Sequence, residues 1–338
     1  MLLILSAILI LSLAACLGLS DSDRRYNSGV KLLEEGMYQE AIAEFDLSIF
    51  TNVSYAPTYH NRALSEEQLG RLASALKDYT KAIELDPSIA VAYAARCGVR
   101  IKLGDLQNAL LDLNQSVELE DGCPSTQTQL GLVLLALVQP EIALTSLNRA
   151  IELDPNFYAA YGNRGIAHSR MGEIDLALAD YTQAIELNPE YVLTYSSRGS
   201  AYLLLGESEL AMSDLNRTIE LDPGSASAYV NRGVVLASEG ELTLAVDDYT
   251  QAINANPTSL NAYINRGSAY ESLNLLDKAI SDFSNALHLA PNSAVLHSSR
   301  AASYHAQGQL QKSTGRLYQI NLIRPYIGAR LVQQRRSP

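Results

Sequence analysis

A chain of 338 residues that is 47% hydrophobic and 18% charged suits a well-packed body. Its net charge of −12 disfavours nucleic acid and fits neutral or basic partners, unless it only solvates a long surface. The charge is uneven, because Lys312, Arg316, Arg324, Arg330, Arg335 and Arg336 lie in a C-terminal stretch without acids, which leaves −18 on the rest.

Residues 1–19 carry no charged side chain and are mostly Leu, Ile and Ala, ahead of Asp21-Ser22-Asp23-Arg24-Arg25. One reading is an export signal with an apolar core ending in small residues. The other is an uncleaved membrane anchor, since about 18 apolar residues just span a bilayer. Leu13-Ala14-Ala15-Cys16 resembles the lipobox of bacterial lipoproteins, in which the signal is cut before the cysteine and the cysteine is lipidated. The resemblance makes Cys16 the lipidation candidate and favours the export signal. Under either reading, residues 1–20 tether the protein to a membrane through its N-terminus. If the source is bacterial, the protein is then exported, to the periplasmic or extracellular face.

From residue 22 to 327 the chain repeats itself every 34 residues. Pro155, Pro189, Pro223, Pro257 and Pro291 mark the period, and stepping outward reaches Asp121, Pro87 and Pro325. A fixed period of this length signals stacked supersecondary units. In the stretch 158–191, Tyr161, Gly165 and His168 share one face of a first helix, and Ala177, Tyr181 and Ala184 share one face of a second. Met171-Gly172-Glu173 turns the chain between them, and Asn188-Pro189 ends the second helix. Gly165 sits mid-helix, where glycine costs about 1 kcal/mol against alanine, so a close backbone approach is expected there. Nine such units begin at residues 22, 56, 90, 124, 158, 192, 226, 260 and 294, and a basic tail, 328–338, follows them.

Repeat four, 124–157, is irregular. Gln127 replaces the aromatic, Val138 replaces the turn glycine, and Leu130–Val138 is apolar nearly all round. Such a helix thickens the core or forms a docking surface. The basic end of repeat nine and the tail are read as the polar cap a solenoid needs.

This pattern resembles the tetratricopeptide repeat (TPR) family, with Tyr where the family often has Trp. The resemblance implies an all-α, right-handed superhelical solenoid of nine 34-residue helix-turn-helix repeats. It also implies a protein-interaction role, with a peptide segment held in the concave groove. With the lipobox, it suggests a membrane-tethered adaptor, similar to the TPR lipoproteins of bacterial envelope assembly. The alternative is a scaffold that self-associates through the apolar fourth repeat.

No catalytic segment is found. There is no HExxH among the five histidines, no phosphate-binding glycine loop and no GxSxG, so no enzyme activity, metal or cofactor is assigned. The cysteines Cys16, Cys97 and Cys123 form no CxxC pair, which leaves zinc and thiol redox chemistry unindicated. Charged residues recur once per repeat, as structural elements do. Most repeats carry Arg before the small residue of the first helix and Asp before the large residue of the second. The pairs are Arg62/Asp78, Arg96/Asp112, Arg164/Asp180, Arg198/Asp214, Arg232/Asp248 and Arg266/Asp282. Repeat four loses both members, with Leu130 and Ser146, which points to pairing within each repeat. Just before that arginine position stand Asn27, Asn61, Asn163, Asn231 and Asn265, with Ala95, Gln129, Ser197 or Ser299 in the other repeats. In TPR proteins this position lines the concave groove, and these residues resemble the asparagine ladder of O-linked N-acetylglucosamine transferase. A primary amide offers donors and an acceptor to a peptide backbone, so these five are the peptide-binding candidates. The competing reading is that they only solvate the helix face or bond neighbouring carbonyls.

Overall fold

The computed structural model describes residues 20–308. Cys16 and the proposed signal or anchor, the second helix of repeat nine and the basic tail lie outside the described residues. Each 34-residue period becomes two helices, A and B, joined by a turn of two or three residues. In chain order the pairs are α1 (Asp21–Glu34) with α2 (Tyr38–Thr51), α3 (Ala56–Gln68) with α4 (Leu72–Leu85), α5 (Ala90–Lys102) with α6 (Leu106–Leu119) and α7 (Pro124–Ala136) with α8 (Pro140–Leu153). They continue with α9 (Tyr158–Arg170) and α10 (Ile174–Leu187), α11 (Val192–Leu205) with α12 (Ser208–Leu221), α13 (Ala226–Ser238) with α14 (Leu242–Ala255) and α15 (Leu260–Ser272) with α16 (Leu276–Leu289). Helix α17 (Ala294–Ala306) opens repeat nine.

The A–B turn is closed by a residue in the left-handed region. Gly36, Gly70, Gly104, Gly172, Gly206, Gly240 and Gly308 fill this place with φ from 73° to 87°. Repeat four keeps the geometry without the glycine: Val138 has φ 59°, and Gln139 still donates its N–H to the Leu134 carbonyl at 2.9 Å. The B–A connection is fixed by a local bond as well as by proline. Asp86, Asp154, Asn188, Asp222 and Asn256 each accept, on Oδ1, the N–H two residues on.

The packing divides the chain into two compact units, Met1–Glu173 and Ile174–Pro338. The 34-residue period runs through the division without a change. The cut falls in the turn of repeat five. Within each unit the hairpins stack through small residues. Ala41, Ala75, Ala109 and Ala143 in the first unit, and Ala177, Ala211, Ala245 and Ala279 in the second, are fully buried. Four residues on, each is followed by a buried Phe, Tyr or Leu, from Phe45 to Phe283. Such a side chain contributes about 1.5–3 kcal/mol when fully buried.

The close approach at the helix-A glycines is made by these large side chains. A Cβ on Gly233 would lie 2.6 Å from Tyr249 Cε1, one on Gly267 2.9 Å from Phe283 Cε1, and one on Gly131 2.6 Å from Leu147 Cγ. The approaching atoms therefore belong to a helix-B side chain rather than to a second backbone. Helix α7 enters the core: Leu130, Val133, Leu134 and Leu135 are buried with Leu113 and Leu147. Of the expected docking surface, Leu132 and Val138 stay exposed.

Candidate functional site

Five arginines on helix A hold the aspartate of their own hairpin in a two-pronged contact. Arg232 donates Nε to Asp248 Oδ2 at 2.8 Å and Nη2 to Oδ1 at 2.7 Å. Arg266 does the same to Asp282 (2.7 and 2.9 Å), as do Arg198 to Asp214 (2.7 and 2.9 Å), Arg96 to Asp112 (3.0 and 2.7 Å) and Arg62 to Asp78 (2.6 and 2.7 Å). Arg164 and Asp180 fall in different units. The parallel fork matches guanidinium to carboxylate, which a lysine could not do. Hydrogen bonds to Asp214, Asp248 and Asp282 raise the pKa of Arg198, Arg232 and Arg266 above the usual arginine range, against the opposing effect of burial. Each guanidinium also lies over the tyrosine three residues earlier, as Arg232 does over Tyr229, 5.6 Å from the ring centroid.

The third nitrogen of the fork has a partner that sequence reasoning missed. Nη1 reaches back sixteen residues to helix B of the preceding repeat. Arg96 finds Thr80 (3.3 Å), Arg164 finds Asn148 (2.8 Å), Arg198 finds Thr182 (3.1 Å) and Arg232 finds Asn216 (2.8 Å). Arg266 finds Thr250 (2.9 Å) and Arg300 finds Ser284 (3.0 Å). Arg62 meets Asp46 in the same way. Thr80, Thr182, Thr250 and Ser284 donate their own hydroxyl hydrogen to the carbonyl four residues earlier, which leaves the oxygen free to accept from arginine. One arginine thus closes its own hairpin and binds it to the preceding one. The signal was present in the sequence, since the position is Asp, Thr, Asn or Ser throughout, but a search confined to carboxylates passes over it.

The first helices of successive hairpins touch within each unit and form a wall, α3 on α1 and α9 on α7 in the first, α13 on α11 and α15 on α13 in the second. The candidate asparagines lie on these helices in unequal states. Asn27 is exposed and Asn265 half-buried, and neither has a hydrogen-bond partner among the described residues. Asn61 is half-buried and donates Nδ2 to the Tyr26 hydroxyl at 3.1 Å, in the preceding helix A. Asn231 is half-buried and donates Nδ2 to Ser200 Oγ at 2.9 Å, again in the preceding helix A. Asn163 differs from its expected role, being 1% exposed. Helix α9 sits close on α7, with Arg170 reaching the Leu135 carbonyl, and the Asn163 amide folds back on Ala159 O at 2.9 Å. Its Oδ1 is buried without a partner. Tyr26 and Ser200, which orient two of the amides, were not found from sequence.

Two depressions are lined by residues of both the A and the B helices. One of about 650 Å³ surrounds Tyr59, Arg62, Asp78 and Thr80. The other, about 550 Å³, opens where repeat four has lost its bracket, beside Gln127, Leu130, Ser146 and Asn148. Cys97 is buried in the first unit, and burial, followed by the nearby Asp112, pushes its thiol up to about 12. Among the described residues, no group of three or more His, Cys, Asp or Glu side chains could hold a metal ion, and no helix is long and apolar enough to cross a membrane.

These features define a helical-repeat protein whose polar side chains serve packing between hairpins. Tetratricopeptide repeat models match residues 56–89, 158–191, 193–225, 213–259 and 260–293, which together make up half of the chain. The chain belongs to the tetratricopeptide repeat family, and its fold is the all-α, right-handed solenoid of paired helices. No curated protein matches it. Among solved structures, it is similar to a tetratricopeptide repeat protein from Parabacteroides merdae ATCC 43184, with TM-score 0.62, 17% identity, and 74% of this chain and 98% of that one covered. The APC/C hetero-tetramer Cut9-Hcn1 gives TM-score 0.60 at 18% identity, with 90% and 73% covered. YrrB, described as a TPR protein with an unusual peptide-binding site, is 29% identical over 54% of this chain and 95% of its own, with TM-score 0.46.

Proposed function

We propose that this protein is a membrane-tethered adaptor that holds an extended peptide segment along the wall of A helices, with envelope assembly as its setting. The observation that carries the reading is the recurrence of amides on that wall outside the packing core, at Asn27 and Asn61 in the first unit and Asn231 and Asn265 in the second. An amide suits a peptide group, and the structural brackets already account for the charged residues. Lipidation of Cys16 supplies the tether. The burial of Leu130, Val133, Leu134 and Leu135 supports the adaptor over a scaffold that self-associates through repeat four.

The test is affinity of the full chain for extended peptides captured from the native envelope, compared with the Asn61→Ala, Asn231→Ala, Asn265→Ala triple variant. Three lost bonds should weaken binding about ten- to a thousandfold in a chain that stays folded, because alanine, the better helix former, offsets part of the lost bonds to Tyr26 and Ser200. Unaltered affinity would place the binding surface elsewhere. A Cys16→Ser chain that partitions into detergent as the parent does would remove the lipid tether from the reading.

A further inference from the structure

Repeat one breaks a polar rule that the later repeats keep on the outward face of helix B. The place of Leu47 is Lys81, Gln115, Arg149, Gln183, Arg217, Gln251 or Asn285 in repeats two to eight. The place of Phe50 is Glu84, Glu118, Glu152, Glu186, Glu220, Asn254 or His288. Leu47 and Phe50 stand three residues apart on α2 and share a face, and Val53 follows in the loop. All three are exposed, Phe50 to 85% and Val53 to 62%. The loop is pinned, because Tyr59 donates its hydroxyl to the Val53 carbonyl at 3.1 Å and Tyr55 packs edge-on against Tyr26. An exposed apolar patch on a fixed backbone marks a surface that meets something apolar.

The place of the patch in the chain identifies what it meets. Helix α1 starts at Asp21, just after the apolar stretch 1–19, and its first turn is bonded to the end of α2. Ser22 donates Oγ to the Ser48 carbonyl at 3.2 Å, and Ser48 returns its hydroxyl to the Ser22 carbonyl at 3.1 Å. The chain thus enters the fold within two residues of both Leu47 and Phe50. Ser22 is six residues on from Cys16 and three on from Leu19. An extended chain spans at most about 3.3–3.6 Å per residue, so Ser22 lies within about 20 Å of a lipidated Cys16 and about 10 Å of an anchor that ends at Leu19. We infer that Leu47, Phe50 and Val53 are a second membrane contact, which the tether brings onto the bilayer surface and which sets how the first hairpin stands on it. The inference rests on the tether reading above and adds a surface of the folded repeats to it. Such a contact sinks about 5–10 Å, to the boundary of headgroups and acyl chains.

The experiment uses the full chain reconstituted through its own N-terminus into phosphatidylcholine vesicles, with or without bromine near the top of the acyl chains. The protein contains no tryptophan, so the emission of a Phe50→Trp variant belongs to that position alone. Brominated lipid should quench it about twofold or more, as expected at interfacial depth, and iodide in the water should quench it little. A Leu111→Trp variant, exposed on α6 in repeat three, should behave the opposite way. Leu47→Gln with Phe50→Glu gives repeat one the pair that repeats three and five carry at Gln115/Glu118 and Gln183/Glu186, so it suits the fold. In that background a Val53→Trp reporter should lose its quenching by bromine, while the chain floats with the vesicles as the parent does. Four results would overturn the inference with the tether reading left standing. The position-50 reporter is open to iodide and untouched by bromine; it is closed to both, because residues 1–19 or a second copy of the chain cover it; the position-111 reporter is quenched by bromine equally; or the position-53 reporter ignores the double substitution. A parent chain that does not float with the vesicles would remove the tether reading, and this inference with it.

Discussion

Breaking the Arg232–Asp248 bracket one side at a time should cost more than removing it whole. Asp248→Ser leaves a guanidinium that has lost two charge-assisted bonds. Breaking a buried pair costs about 3–5 kcal/mol. The Arg232 side chain is 25% exposed and keeps Asn216 and the Tyr229 ring, so about 2–4 kcal/mol is expected here. Arg232→Leu alone strands an aspartate whose side chain is 7% exposed and should cost the full amount, about 3–5 kcal/mol. The double variant rebuilds what repeat four has at Leu130 and Ser146. It forfeits the bond to Asn216, about 1 kcal/mol, and the contact with Tyr229, about 0.5–1 kcal/mol, and leaves no unpaired charge. Its cost should be about 1–2 kcal/mol, below either single variant. Urea unfolding of the four proteins measures this, and hydrogen exchange of α13 and α14 assigns the loss to this hairpin. A double variant whose cost equals the sum of the singles would show that the two side chains do not stabilise each other.

Two further outcomes follow from positions where one repeat departs from the rest. Val138→Gly should stabilise the chain by about 0.5–1 kcal/mol, because it removes a left-handed valine worth about 1–2 kcal/mol of strain at the expense of a more flexible unfolded state; Val138 is 79% exposed, so little packing is lost, and a lower urea midpoint would refute the strain. Cys97 has its folded pKa raised to about 12 against an ordinary value of 9.0, so its stabilisation is complete below pH 9 and is lost as pH rises from there towards 12; between pH 7 and 10, Cys97→Ala should therefore lose about 1 kcal/mol less than the parent, and parallel losses would place the thiol in solvent.

The sequence made the hairpins legible because each constraint recurs at one spacing. Glycine at the turn, alanine on helix B and proline after it each have a local cause, and seven or eight copies of a local cause outweigh one or two exceptions. The Arg–Asp relation was legible for the same reason, since repeat four loses both members together. Less legible was anything defined by chemistry rather than residue type. The partner sixteen residues before each arginine is Asp46, Thr80, Asn148, Thr182, Asn216, Thr250 or Ser284, and these share only an oxygen that accepts. The fate of Asn163 was not legible at all. Its place in the period equals that of Asn231, and the difference between them comes from how closely α9 sits on α7.

Repeat four shows what the bracket is for. It lacks the tyrosine, the arginine and the aspartate at once, yet α7 and α8 pair as the other hairpins do. Leu130 takes the arginine's place inside an apolar cluster with Leu113, Val133, Leu134 and Leu147, so burial replaces the polar fork. That exchange is physically even-handed, since a buried ion pair and well-packed apolar residues of similar size stabilise to similar degrees. A different ionic chain forms at the rim, where Asp121 accepts from Arg149 at 2.7 Å and from Gln127 at 2.6 Å. What burial does not replace is the backward reach of the guanidinium. Asn114, the acceptor repeat four should use, stays exposed, whereas Asn148, on the other side of the same repeat, still receives Arg164. The bracket therefore has two separable roles. Closing the hairpin can be handed to apolar packing, but the directed bond from helix A to the acceptor sixteen residues earlier on the preceding helix B needs the arginine itself.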